Sequence, residues 1–150
     1  MANDEGFTEQ SEPRDQVAAA YVLYNGSVER DEPAAMLAFY RDLTTEDFVE
    51  CNRPGDSTPT ATKIEMLASL SLLVDCNKKF GYDLTFQATT HIDALHMEGP
   101  KAVVTLTHRF HIVERDKTDL DRWQETWVPT TKGWRLERKQ RLEIIRAPET

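Results

Sequence analysis

The sequence predicts an α+β domain in which three N-terminal helices pack on one face of a curved antiparallel sheet. Before Gly81 the apolar residues recur at helical spacing, and after it they alternate with polar ones nearly to the C-terminus. The alternating runs are joined by short turns, at Gly99-Pro100, Asp116–Asp119 and Thr130–Gly133, which suits an antiparallel meander and leaves no room for crossovers. A chain of 150 residues, 39% of them hydrophobic, is long enough to bury one core and shows no repeat or linker that would mark a second.

Each element has its own signal. Ser11 is a candidate N-cap and Pro13 suits a first turn, after which Val17, Tyr21, Tyr24 and Val28 form the stripe of a first helix. Asp31-Glu32-Pro33 starts a second helix with Met36, Phe39, Tyr40 and Leu43 on its apolar side. Phe48–Asn52 reads as a short strand and Arg53–Pro59 as an irregular loop. Thr62 and Glu65 form a capping box that opens a third helix. Its wide stripe of Met66, Leu67, Leu70, Leu73 and Val74 predicts burial on more than one side. Five extended runs follow, Tyr82–Ala88, His91–Glu98, Lys101–Arg115, Arg122–Val128 (stopped by Pro129) and Trp134–Arg146.

The net charge of −8 is unevenly spread. Met1–Asp15 holds five acids against Arg14, a net of −4, which leaves −4 for the rest. Residues 1–12 are expected to be a mobile acidic tail and residues 13–147 a single domain. An acidic chain has no overall electrostatic attraction to nucleic acid or to an anionic membrane, and neither is expected as a partner. The first residues lack the apolar segment of a secretory signal, and no apolar run approaches the roughly 20 residues that span a bilayer. Cys51 and Cys76 are too few for a disulfide scaffold and are read as reduced thiols of a cytoplasmic protein.

Strand parity sorts side chains into inner and outer faces. In the last run Trp134, Leu136, Leu142 and Ile144 would face the helices, with Arg138 and Gln140 on the same side. Arg135, Glu137, Lys139, Arg141 and Glu143 would face water. In the third run Ala102, Val104, Leu106, His108, Phe110 and Ile112 share the inner face. In the fourth the inner face carries Trp123, Glu125 and Trp127, and in the first strand Phe48, Glu50 and Asn52. The expected interior therefore gathers Tyr21 or Tyr24, Glu50, Asn52, His108, Glu125, Arg138 and Gln140 among apolar and aromatic walls. Convergent polar groups in an apolar pocket are the default picture of a small-molecule site. Each also has a structural reading: a hydrogen-bonded core histidine, a Glu125 ion pair with Arg138 or Arg122, and tyrosines packed in the core. No histidine or cysteine spacing matches a metal site, and no glycine-rich loop matches a phosphate site.

Three stretches resemble the NTF2-like family, the cystatin-like α+β cone that includes SnoaL-like cyclases and ketosteroid isomerases. Asp31–Phe39 followed by Thr45-Glu46-Asp47-Phe48-Val49-Glu50 resembles its short second helix and acidic entry to the first strand. Gly99-Pro100 with Ala102 resembles the turn before its central strand, and Glu125–Val128 with Gly133–Leu136 resembles its closing hairpin. The resemblance spans about residues 14 to 146. It implies a pocket inside the cone and a homodimer through the outer sheet face. By alignment with the ketosteroid isomerases, Tyr24 falls within about one residue of the oxyanion-hole tyrosine and Glu125 at the late-strand acid. The proton-transferring aspartate falls at Asn52, which cannot act as a base, so Glu50 on the same face would have to substitute.

The expected function is that of a SnoaL-like pocket protein taking a small, hydrophobic, oxygen-bearing metabolite. Its chemistry, if catalytic, would be cofactor-independent acid–base catalysis of the isomerase, cyclase or dehydratase type. His108 or Glu50 would move the proton, with Glu125, Tyr24 and Arg138 stabilising an oxyanion. Asn52, Gln140, Tyr21, Trp123, Trp127 and Phe110 would complete the binding surface. The alternative is a non-catalytic homodimeric interaction module whose inner polar groups close on one another.

Overall fold

The computed structural model describes residues 15–17, 19, 32–80 and 86–145. Residues 15–17 and 19 are helical, and Val17 is wholly buried, as its place in the first helical stripe predicts. Tyr21, Tyr24 and the acidic tail lie outside the described residues. The order that follows is α1 (Glu32–Asp42), β1 (Thr44–Cys51), β2 (Ala61–Thr62), α2 (Lys63–Phe80), β3 (Phe86–Glu98), β4 (Lys101–Ile112), a 3₁₀ turn (Val113–Arg115), β5 (Lys117–Thr130) and β6 (Gly133–Ile145).

The six strands form one sheet in the order β2-β1-β6-β5-β4-β3. The meander β3 to β6 is antiparallel throughout, but β1 runs parallel to β6, so the sheet is mixed and not purely antiparallel as predicted. The last strand, β6, thereby lies between β1 and β5 at the sheet centre. From Phe86 on, the two runs predicted before Gly99 are one strand with a bulge at Asp93, since Ile92 pairs with Leu106 and Ala94 with Thr105. Gly99 takes φ +61 in the two-residue β3–β4 loop, a backbone that glycine adopts without strain. Strand β4 stops at Ile112, short of the predicted Arg115, because Val113–Arg115 turns and Asp116 takes a left-handed conformation. Strand β5 runs on through Pro129.

The capping box forms as its residue types require. Thr62 N–H donates to Glu65 Oε1 at 2.9 Å and Glu65 N–H to Thr62 Oγ1 at 3.3 Å. Below α1 and α2 the core gathers Phe39, Phe48, Leu70, Leu106, Trp127 and Leu136. Phe39 meets Trp127 edge-on at 6.3 Å, and Tyr40 leans on Phe48 at 5.6 Å. Helix α2 buries one side only, contrary to the wide-stripe expectation. Leu70 is buried and Met66 and Leu67 half-buried, whereas Ile64, Leu72 and Leu73 are mostly exposed. The helix forms an outer layer with the sheet on one side of it.

Strand β6 departs most from the predicted parity. Trp127 pairs with Leu136 and Thr126 with Arg138, so Glu137 is an extra residue. Trp123 pairs with Arg141 and Arg122 with Glu143, so Leu142 is a second one. Between these two bulges the strand is turned over. Lys139 and Arg141 face inward, while Arg138 and Gln140 face the other way. The predicted inward placement of Arg138 and Gln140 is therefore corrected, as is the basic outer face that included Lys139 and Arg141. Arg138 instead donates to the Ser57 carbonyl in the loop after β1.

Truncating Leu136, which is fully buried, should cost about 2–5 kcal/mol, and Thr62→Ala about 1 kcal/mol, both read by urea denaturation. Deleting Glu137 should remove the first bulge yet keep Lys139 and Arg141 inward, because Arg138 then follows Leu136 directly opposite the step from Trp127 to Thr126, and the cost should stay below about 3 kcal/mol. Glu137→Ala, which keeps the extra residue, should stay within about 0.5 kcal/mol of the parent apart from the loss of the Lys101 contact.

Candidate functional site

A cavity of about 470 Å³ opens between the helices and the concave sheet face. Helix α1 contributes Met36 and Tyr40, and α2 contributes Met66 and Leu73. Strand β1 presents Glu50, one pleat beyond the buried Phe48, and Asn52 follows just past the strand's end. His108 and Phe110 come from β4, Asp119, Asp121 and Trp123 from β5, and Lys139 and Arg141 from β6. A smaller side chamber of about 20 Å³ shares Tyr40, His108 and Lys139 with the cavity and adds Phe39, Thr90, Leu106 and Glu125.

Lys139 stands at the junction of the two spaces. Its Nζ donates to Tyr40 Oη at 2.8 Å and lies 4.3 Å from the centre of the Trp123 ring. The Arg141 guanidinium lies over the same ring at 4.6 Å, and its Nη2 is 3.3 Å from Asp121 Oδ2. Asp121 also accepts the Trp123 indole N–H at 3.0 Å, so one carboxylate fixes both the ring and the arginine that covers it. Arg141 Nε is buried without a hydrogen-bond partner among the described residues. Glu125 accepts the Trp127 indole N–H at 3.0 Å, a repeat of the same i, i+2 arrangement deeper in the sheet.

Burial sets the protonation states here. Desolvation of His108, with Lys139 and Arg141 nearby, lowers its pKa to about 3, so the ring is neutral at ordinary pH and Nδ1 lies 3.2 Å from Thr90 Oγ1. Desolvation raises Glu125 to about 7, against the opposing pull of Lys139 and the Trp127 hydrogen bond. Burial disfavours the charge on Lys139, yet Tyr40, Glu125 and Glu50 together hold its pKa above the ordinary lysine value. Lys139 is therefore a fixed cation and Glu125 the group that titrates near neutrality.

Of the residues singled out in the sequence, the cavity brings together Glu50, Asn52, His108, Phe110 and Trp123. Glu125 faces the side chamber, and Trp127 is fully buried in the core. Arg138 and Gln140 lie on the opposite face of β6, and Tyr21 and Tyr24 lie outside the described residues. Sequence reasoning missed Tyr40, which it counted only as part of an apolar stripe. It missed Asp121, one step before the predicted start of its strand yet in phase with Trp123. It also missed Lys139 and Arg141. Their signal was the anomaly of two polar residues, Arg138 and Gln140, interrupting an otherwise apolar face. Among the described residues no group of three or more His, Cys, Asp or Glu is placed to hold a metal ion. Both cysteines are free thiols, with Cys51 Sγ donating to the Ser57 carbonyl at 3.3 Å. Among the described residues no helix is long and apolar enough to cross a membrane.

No family model matches the sequence, and no curated protein sequence is significantly similar to it. Solved structures are similar in shape. An NTF2-like protein of unknown function from Shewanella oneidensis superposes with a TM-score of 0.65 at 11% identity, covering 88% of this chain and 100% of that one. An NTF2-like protein from Cytophaga hutchinsonii gives 0.62 at 13% identity, covering 89% and 100%. One from Novosphingobium aromaticivorans, described as having a cystatin-like fold, gives 0.62 at 14% identity, covering 86% and 80%. Together with the helices, the mixed sheet and the cavity between them, these superpositions identify the fold of this chain as NTF2-like.

Proposed function

We propose that this chain binds a small, largely apolar, oxygen-bearing molecule in the cavity. The observation that carries the reading is convergence. Polar groups from one helix and four strands meet in a cavity of about 470 Å³, within the roughly 300–1,000 Å³ range of small-molecule sites. Met36, Met66, Leu73 and Phe110 offer an apolar wall for the ligand body. Lys139, Tyr40 and His108 offer hydrogen bonds to an oxygen at its inner end.

The same geometry supports cofactor-independent acid–base chemistry as the activity of the site. Glu50 is the carboxylate positioned to accept a proton from a bound carbon acid, with Asn52 just past the strand's end. Lys139, kept cationic and bonded to Tyr40, is the group to stabilise the developing oxyanion. His108 is a poor proton store, since a conjugate acid with a pKa of about 3 returns its proton to water at once. Its use is as a neutral hydrogen-bonding group, and Glu125 acts from behind by setting the field at Lys139. The interaction-module alternative called for Glu125 closed on Arg138 with no cavity beside it. The observed partners, Trp127 for Glu125 and Ser57 for Arg138, favour the pocket reading.

Native mass spectrometry of protein purified from its own host should reveal a retained small molecule. In thermal-shift assays, alcohols and ketones of about ten carbons should raise Tm. Met66→Trp, which fills the cavity from α2, should keep the fold and lose this shift. An unchanged shift would place binding elsewhere.

The protonation states predict a pH profile. Glu125 is raised to about 7 from the usual 4.5. Its contribution to stability is full below about pH 4.5 and is lost as pH rises through 7. His108 is lowered to about 3 from the usual 6.5. Its contribution is full above about pH 6.5 and is lost as pH falls towards 3. The two trends oppose each other between about pH 4.5 and 6.5, so the stability due to this pair is level there and falls on either side. Glu125→Gln, which still accepts from Trp127, should remove the alkaline decline. Between about pH 6 and 8 the parent should lose on the order of 1 kcal/mol relative to this variant. Parallel unfolding curves across that range would contradict the assignment.

A further inference from the structure

The charges around the cavity define the ligand further, on the basis of the pocket reading above. Lys139 is a half-buried cation whose hydrogen bond goes to a neutral phenol and whose other close neighbours are aromatic rings. Among the described residues it has no carboxylate within ion-pair distance. Removing a cation from water without a counter-charge is costly, and an arriving anion offsets that cost. Arg141 stands two residues along on the same face, so two positive groups are held side by side over one indole ring.

The carboxylates facing the same space neutralise this pair only in part, since none of those described forms an ion pair with Lys139 itself. Asp121 is engaged by Arg141 and by the Trp123 N–H. Asp119 is exposed at the rim. Glu125 lies in the side chamber, bonded to Trp127. Glu50, opposite Lys139 in the β1–β6 register, is the remaining negative group, and it would repel an anion placed at its own end of the cavity. A ligand anion therefore fits on the β5–β6 side, between Lys139 and Arg141, with its apolar body running towards Met36, Met66 and Leu73.

We infer that the ligand is an apolar carboxylate whose head group sits against Lys139 and Arg141. An ammonium head group would meet both cations, and an uncharged alcohol would leave Lys139 with only the more distant charges of Glu50 and Glu125.

Three probes of equal length, decanoate, decanol and decylamine, test this by titration calorimetry at neutral pH. Decanoate should bind the unmodified protein about tenfold or more tightly than decanol, and decylamine more weakly than either. Lys139→Met should abolish the preference for decanoate over decanol, whereas Lys139→Arg should keep it. Should Lys139→Met not fold, the comparison of the three probes on the unmodified protein still decides. Decanol or decylamine binding as tightly as decanoate would overturn the inference and leave the pocket reading standing. A decanoate preference that survives in folded Lys139→Met would also overturn it. Binding of none of the three would overturn the inference together with the pocket reading.

Discussion

Strand β6 is hydrogen-bonded on both edges, to β1 in parallel and to β5 in antiparallel register, and it crosses the centre of the sheet. A central strand has little freedom to choose its faces, because a slip of one residue reverses every side chain on it. Here two such slips occur within a few residues. The bulge at Glu137 follows the buried Leu136, and the bulge at Leu142 restores the original phase. The segment between them turns Lys139 and Arg141 into the cavity, and it sends Arg138 out to the loop after β1. The position of the cavity's positive charge follows from those two extra residues.

Placing two cations beside each other needs support, and β5 supplies it. Trp123 offers its ring face to both Lys139 and Arg141, and Asp121 holds the ring edge and the guanidinium together. Deeper in the strand Trp127 and Glu125 repeat the arrangement in the core, where desolvation lifts the carboxyl towards neutrality. The graded result is a fixed cation at the cavity, a neutral imidazole next to it and a titrating acid behind. Helices α1 and α2 cover this array with methionine and leucine, so the electrostatics act in a largely apolar surrounding.

Much of the fold was legible in the residues. The period change after Gly81, the Thr62–Glu65 capping box, the Gly99-Pro100 turn and the inward face of Trp123, Glu125 and Trp127 are all local patterns. All of them appear in the structure. Glu50, Asn52, His108 and Phe110 were placed in the cavity by simple parity, because their strands keep a regular phase through those positions. Parity failed on β6, where the phase is broken twice by bulges that no turn residue announces. It also failed to find Tyr40, since a helical stripe does not say which of its members ends at a cavity and which in the core.

The sequence by itself determined the class of the fold, the order of its elements and most of the inner face, because periodicity and turn chemistry are short-range properties of the chain. Only the tertiary structure decided which cations enter the cavity, that β6 pairs in parallel with β1, and which carboxyl is pushed towards neutrality. Those outcomes depend on register between strands distant in sequence and on how deeply each charge is buried. Neither quantity is carried by local pattern.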